Sequence, residues 1–80
     1  MISYLLFTAQ WSKPSLEVKD TLEKFFTEHQ VLVCDGASTH REHERYAIRK
    51  LPTLVQLKDG VEVKRTNAVD IAELHKFFKE

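Results

Sequence analysis

Ile2-Ser3-Tyr4-Leu5-Leu6-Phe7-Thr8-Ala9 runs through Gln10 into Trp11-Ser12-Lys13-Pro14-Ser15. Residues 2–9 are apolar on both faces of a strand, the pattern of a central strand covered by helices on each side. The second half opens a helix. Ser12 offers its hydroxyl as an N-cap, and Pro14 falls in the first turn, where a missing N–H costs nothing. Val18, Leu22, Phe25 and Phe26 then recur at i, i+4, i+7 and i+8 as one apolar stripe, with Lys and Glu residues opposite.

Working outward, Val31-Leu32-Val33-Cys34 is a second short buried strand, and Asp35-Gly36-Ala37-Ser38 a loop. Thr39 is placed to cap a polar helix running to about Ile48. After Leu51-Pro52, Thr53–Lys58 reads as a third strand. Asp59-Gly60 predicts a type I′ hairpin, because both central positions of that turn need positive φ. Val61–Arg65 alternates Val-Glu-Val-Lys as a half-exposed edge strand does. Asn67 is placed to cap the last helix, with Asp70 three residues on in a capping-box-like position. Ile71, Leu74, His75 and Phe78 are expected to line that helix's buried face. The order is βαβαββα, an α/β fold with a four-stranded mixed sheet flanked by helices. The helix between the first two strands makes them parallel with a right-handed crossover, and the hairpin makes the last pair antiparallel.

The 80 residues hold no repeat, linker or low-complexity segment, so residues 1–80 are expected to form one domain. Twelve basic residues balance twelve acidic ones, which argues against charge-driven nucleic-acid binding. Met1–Ala9 lacks a basic region and is too short to span a bilayer, so neither a targeting segment nor a membrane role is expected. The lone cysteine, Cys34, excludes an intramolecular disulfide framework and fits a reducing, cytoplasmic compartment. A monomer is expected.

Three segments together resemble the thioredoxin family. Phe7-Thr8-Ala9-Gln10-Trp11-Ser12-Lys13-Pro14-Ser15 is similar to the strand running into that family's active-site helix, with its Trp-Cys-x-Pro-Cys motif. Tyr46-Ala47-Ile48-Arg49-Lys50-Leu51-Pro52-Thr53 is similar to the stretch leading to its cis-proline, and Leu57-Lys58-Asp59-Gly60-Val61 to the hairpin that follows. With the element order, the match covers nearly the whole chain. It implies a thioredoxin-like fold in its shorter, glutaredoxin-sized form, without the strand and helix that begin a full thioredoxin. It also implies that Ser12 and Ser15 stand at the positions of the nucleophilic and resolving cysteines. Trp11, Lys13, Pro14, Leu51, Pro52, Asn67 and Ala68 would then form the substrate groove, with a cis Pro52 facing Ser12. Leu6 departs from the pattern, since thioredoxins often carry a buried aspartate there. Read without the resemblance, Ser12 is an ordinary helix cap, Trp11 a core or surface aromatic, and Pro52 the start of a strand.

Serine cannot perform the family's chemistry. Exchange needs a thiolate, acidified at a helix N-terminus, to attack a disulfide, and a second thiol to resolve the mixed disulfide. No histidine lies near the motif in sequence to activate a serine instead. Cys34 is expected to be a small buried hydrophobe. His40 and His43, at i and i+3, could share a face near Cys34, but scattered ligands of this kind are weaker than the reading of solvated helix histidines, and no metal or cofactor is expected. Two functional readings follow. In one, the chain is a disulfide-oxidoreductase scaffold, an electron donor to protein or small-molecule disulfides in its cysteine-bearing parent and inactive as given. The near-isosteric change at both redox positions, with Trp11 and Pro14 kept, suits deliberate substitution. Its partners would be disulfide-containing proteins or peptides, and the cysteine-bearing parent would draw electrons from a thioredoxin reductase or glutathione. In the other, it is a naturally redox-silent module that holds a peptide by main-chain bonds at Leu51.

Overall fold

Strand β1 (Ile2–Thr8) is the second strand of a four-stranded sheet, ordered β2-β1-β3-β4, in the computed structural model, which describes residues 1–36 and 40–79. The other strands are β2 (Val31–Asp35), β3 (Thr53–Lys58) and β4 (Val61–Thr66), and the helices are α1 (Lys13–Phe25), α2 (His40–Arg45) and α3 (Ile71–Lys79). β1 pairs parallel with β2, Leu5 opposite Leu32, and antiparallel with β3, Phe7 opposite Thr53. β3 and β4 form the expected hairpin, and Asp59 (φ 53°) and Gly60 (φ 85°) both take the positive φ that a type I′ turn requires. The expected element order and mixed sheet are therefore those observed. No helix among the described residues is long and apolar enough to cross a membrane.

The period of the strand divides the core. Tyr4, Leu6 and Leu54 turn to one face, where Val18 and Leu22 of α1, Phe26, and Leu74 and Phe77 of α3 close over them. Phe7, Cys34, Val55 and Leu57 turn to the other, against Tyr46, Ile48 and Leu51 from the segment after α2. α1 and α3 thus share one face, pinned at their ends by an aromatic cluster. His29 stacks on Phe78 at 4.2 Å between centroids, and Tyr4 meets Phe78 edge-on at 4.7 Å.

Several local expectations fail for identifiable reasons. Leu32 is 64% exposed rather than buried, because β2 is an edge strand. Phe25 is exposed and its neighbour Phe26 carries the α1 stripe. In β4 the alternation is reversed: Val61 and Val63 are exposed while Glu62 and Lys64 are half-buried. Gln56 pairs with Lys64 but Leu57 with Glu62, so Val63 is the extra residue of a bulge that re-aims its neighbours. Lys64 lays its chain over the Phe77 ring, with Nζ 4.6 Å from the centroid, and donates to the Phe77 carbonyl at 2.6 Å.

The helix expected to reach Ile48 stops at Arg45. Ala47 takes φ 52°, its N–H donates to the Glu44 carbonyl at 3.0 Å, and the Ile48 N–H to the His43 carbonyl at 2.9 Å. That pair of bonds is a Schellman ending, here with alanine where glycine is usual. The cap expected at Thr39 and the loop residues Ala37 and Ser38 lie outside the described residues. Asn67 does not cap α3. Asp70 does, accepting the Ala72 N–H at 3.0 Å. With the helix starting at Ile71, its buried face is Leu74, Phe77 and half-buried Phe78, and Ile71 and His75 are exposed.

Candidate functional site

The sheet brings the singled-out residues to one end. β1 ends at Thr8, and a tight turn, with the Ser12 N–H on the Ala9 carbonyl at 3.0 Å, delivers Trp11 and Ser12 to the start of α1. Because Phe7 faces Thr53 across the antiparallel pair, Pro52 lies at that same end. Leu54 faces Thr66, so Asn67 and Ala68 leave β4 there too.

Ser12 is the N-cap of α1 by backbone and side chain. Its φ and ψ are extended and its carbonyl accepts the Leu16 N–H at 3.2 Å. Its Oγ accepts the Ser15 hydroxyl at 2.8 Å and, more weakly, the Ser15 N–H at 3.4 Å. Ser12 is nearly buried, and Ser15, one turn in, is 0% exposed. Trp11, in contrast, is 83% exposed, and Lys13 and Pro14 are exposed beside it. The first turn of α1 holds no acidic residue, so the positive end of the helix is not neutralised by its own side chains.

Across the end of the sheet, the Leu51–Pro52 peptide bond is cis and Pro52 is buried. Leu51 packs its side chain into the Phe7 cluster. Asn67 has a role that its sequence position hid. Its Nδ2 donates to the Pro52 carbonyl at 3.0 Å and to Thr53 Oγ1 at 2.8 Å, and the Thr53 hydroxyl donates on to the Lys50 carbonyl at 2.6 Å. One side-chain amide thereby fastens β4 to the turn carrying Pro52. Asn67→Ala is expected to lower stability by about 1–3 kcal/mol, since the Pro52 carbonyl and Thr53 hydroxyl both lose a donor. A fall in the urea midpoint at unchanged slope would show it, and an unchanged midpoint would refute it.

Cys34 and His43 meet, but not through the thiol. His43 Nε2–H donates to the Cys34 carbonyl at 3.0 Å, and its ring stands edge-on to Phe7 at 5.0 Å. His43 is thus a half-buried packing residue rather than a solvated one, and the His40 side chain lies outside the described residues. Among the described residues no group of three or more His, Cys, Asp or Glu side chains could hold a metal ion. A cleft of about 690 Å³ lies at the opposite end of the sheet, where Ile2, Tyr4, His29, Gln56, Lys58 and Phe78 line it. It is wide and shallow and joins none of the residues above. A smaller cleft of about 190 Å³ does adjoin them, lined by Ala47, Arg49, Lys50, Thr53, Arg65 and Asn67.

Comparison with solved structures places this arrangement. The chain is similar to the thioredoxin of Fasciola hepatica, with 25% identity and a TM-score of 0.86 over 98% of this chain and 78% of that one. It is also similar to a chain of a ferredoxin:thioredoxin reductase–thioredoxin f2 complex, at 25% identity and a TM-score of 0.77 over 98% and 74%. The fold is that of the thioredoxins. A designed protein is similar as well, at 30% identity and a TM-score of 0.81 over 98% of this chain and 77% of that one. No sequence-family model and no curated protein matches the chain.

Within this thioredoxin-like fold, one surface ion pair shapes the small cleft. Arg65 Nε and Nη2 donate to the two Glu62 carboxylate oxygens at 2.6 and 2.7 Å, and Nη2 also reaches the Tyr46 carbonyl at 2.9 Å. The Arg65 hydrogen bonds hold the Glu62 carboxyl below its usual range, against burial, which raises it by more than the Arg65 charge lowers it. Its folded pKa being depressed, the pair stabilises the fold above the ordinary carboxylate range and loses that effect as pH falls through the lowered pKa. The pair lies at the surface with both side chains partly exposed, so the contribution is at most about 1 kcal/mol.

Proposed function

We propose that the chain is a thioredoxin-type disulfide-oxidoreductase scaffold that receives an extended, disulfide-bearing protein or peptide segment and performs no exchange on it. Ser12 and Ser15 are assigned to the positions of the nucleophilic and resolving cysteines. Trp11, Lys13, Pro14, Leu51, Pro52, Asn67 and Ala68 are assigned to the groove. The observation that carries this reading is the Ser12–Ser15 hydroxyl pair, Oγ to Oγ 2.8 Å at the unneutralised N-terminus of α1.

With sulfur there, the first thiolate would attack a substrate disulfide and release one substrate thiolate. The second would displace the other, leaving an intrachain disulfide and a substrate reduced by two electrons. A serine hydroxyl stays protonated at neutral pH, and among the described residues no histidine bonds to either Ser12 or Ser15 to take the proton. What remains is binding. The exposed Trp11 face suits a chain segment, and Leu51, beside the cis-proline, can offer main-chain groups for sheet-like pairing without any sulfur. The same geometry serves a naturally redox-silent binding module. A cysteine-bearing form would take electrons from a thioredoxin reductase, as the reductase complex of a structural relative suggests, or from glutathione. The test is insulin reduction by dithiothreitol with this chain present. The expected rate equals that of dithiothreitol alone, and any catalytic acceleration overturns the reading.

A further inference from the structure

Arg49, Lys50 and Arg65 supply three cations to the cleft of about 190 Å³ behind the Pro52 turn, and no acidic side chain among the described residues lines it. Glu62 neutralises Arg65 from outside the cleft through two hydrogen bonds. Arg49 and Lys50 are exposed, and neither has an ion-pair partner among the described residues. They precede Leu51 by two residues and one. The Asn67–Thr53–Lys50 hydrogen-bond chain holds the cleft wall against the Pro52 carbonyl, so cleft and groove share one fixed ledge. Lys13 and the N-terminus of α1, with no acid in its first turn, add positive potential at the same end of the sheet.

We propose that this cleft makes the site select acidic segments: the partner is an extended peptide carrying Asp or Glu within a few residues of the one lying against Leu51. An extended chain advances about 3.3 Å per residue, so a carboxylate two or three residues along is within reach of Arg49 and Lys50. The arginine fork suits a carboxylate in two-point contact, and the Thr53 and Asn67 side chains on the cleft wall give the approach a polar lining. The inference rests on the groove being a peptide site.

Trp11 is the chain's sole tryptophan and stands exposed at the groove, so its fluorescence can report binding. The probes are two synthetic peptides of one sequence, with Glu in one replaced by Gln in the other at the positions flanking the centre. The acidic peptide is expected to bind roughly tenfold more tightly at low ionic strength, an effect of the size that a few exposed charge contacts give. That ratio should fall towards one at about 1 M salt, where the screening length is about 3 Å. In Arg49→Glu/Lys50→Glu the ratio should invert, since both positions are exposed and the change adds repulsion. Equal binding of the two peptides, or an unchanged ratio in the variant, overturns the selection while leaving the groove standing. If neither peptide binds, the groove reading fails and the selection falls with it.

Discussion

Ser12→Cys/Ser15→Cys is expected to reduce insulin catalytically, where the parent chain does no better than dithiothreitol alone. The hydroxyls already sit one helical turn apart with Oγ to Oγ 2.8 Å, so the two sulfurs would start in contact and need little backbone movement to close or open a disulfide. The first sulfur would cap α1, taking the Ser15 N–H contact and the positive helix end that now face the Ser12 oxygen. In such a place a cysteine pKa near 7, rather than about 8.5, makes the thiolate about fifteenfold more abundant at pH 7. The second sulfur would be buried, as Ser15 is, and open to attack only the partner it must resolve. The single variants separate the roles. Ser12→Cys alone is expected to form mixed disulfides with substrate and stall without added thiol, and Ser15→Cys alone to stay inert. A folded double variant that remains at the dithiothreitol rate would show that the helix terminus does not activate a thiol, and would leave capture without chemistry as the surviving function.

The features legible in the sequence are those with a local physical cause. Apolar residues on both faces of β1 required cover on both sides, and α1 and the segment after α2 provide it. Asp59-Gly60 dictated a turn with two positive φ values, and it has them. Ser12 before Pro14 dictated a helix start. What the sequence does not reveal depends on partners distant in the chain. Asn67 and Asp70 are both good caps by type, and only the pairing of β4 with β3 decides between them, by drawing Asn67 to Pro52 and Thr53. The bulge at Val63 is invisible to a period-2 pattern, because Val-Glu-Val-Lys reads the same with or without a shifted register. His43 looked solvated because nothing near it in the chain reveals that Phe7 and the Cys34 carbonyl will meet its ring. The cationic cleft was hidden for the same reason. Arg49 and Lys50 are an unremarkable basic pair until β4 brings Arg65 beside them.

Leu6→Asp is expected to give the largest loss of stability, and one that deepens as pH rises. Leu6 is 0% exposed, in the middle of the central strand, beneath the helices that pack on Tyr4 and Leu54. A carboxyl placed there has lost the leucine contacts, which by analogy with leucine truncation costs about 2–5 kcal/mol at any pH. Ionisation adds a second cost. Burial disfavours the charged form, so the folded pKa lies above the unfolded value of about 3.9, by about 3 units for a well-buried acid. Below pH 3.9 the group is protonated in both states and the second cost is absent. Between that value and the raised folded pKa, stability falls by about 1.4 kcal/mol per pH unit, to a total near 4 kcal/mol by about pH 7. A domain of this size is stable by only about 4–12 kcal/mol, so the variant should fold in mild acid and be largely unfolded at pH 8. The parent's own acid sensitivity, to which the Glu62–Arg65 pair contributes with the opposite sign, is removed by taking the difference in unfolding free energy between variant and parent at each pH. Leu6→Asn, of similar shape and without a charge, should show a deficit that does not change with pH. A Leu6→Asp deficit that stays flat from pH 4 to pH 8 would mean that water or a rotated side chain relieves the charge. The interior beneath α1 would then already be able to hold an ionised acid close to the Ser12 end of the sheet.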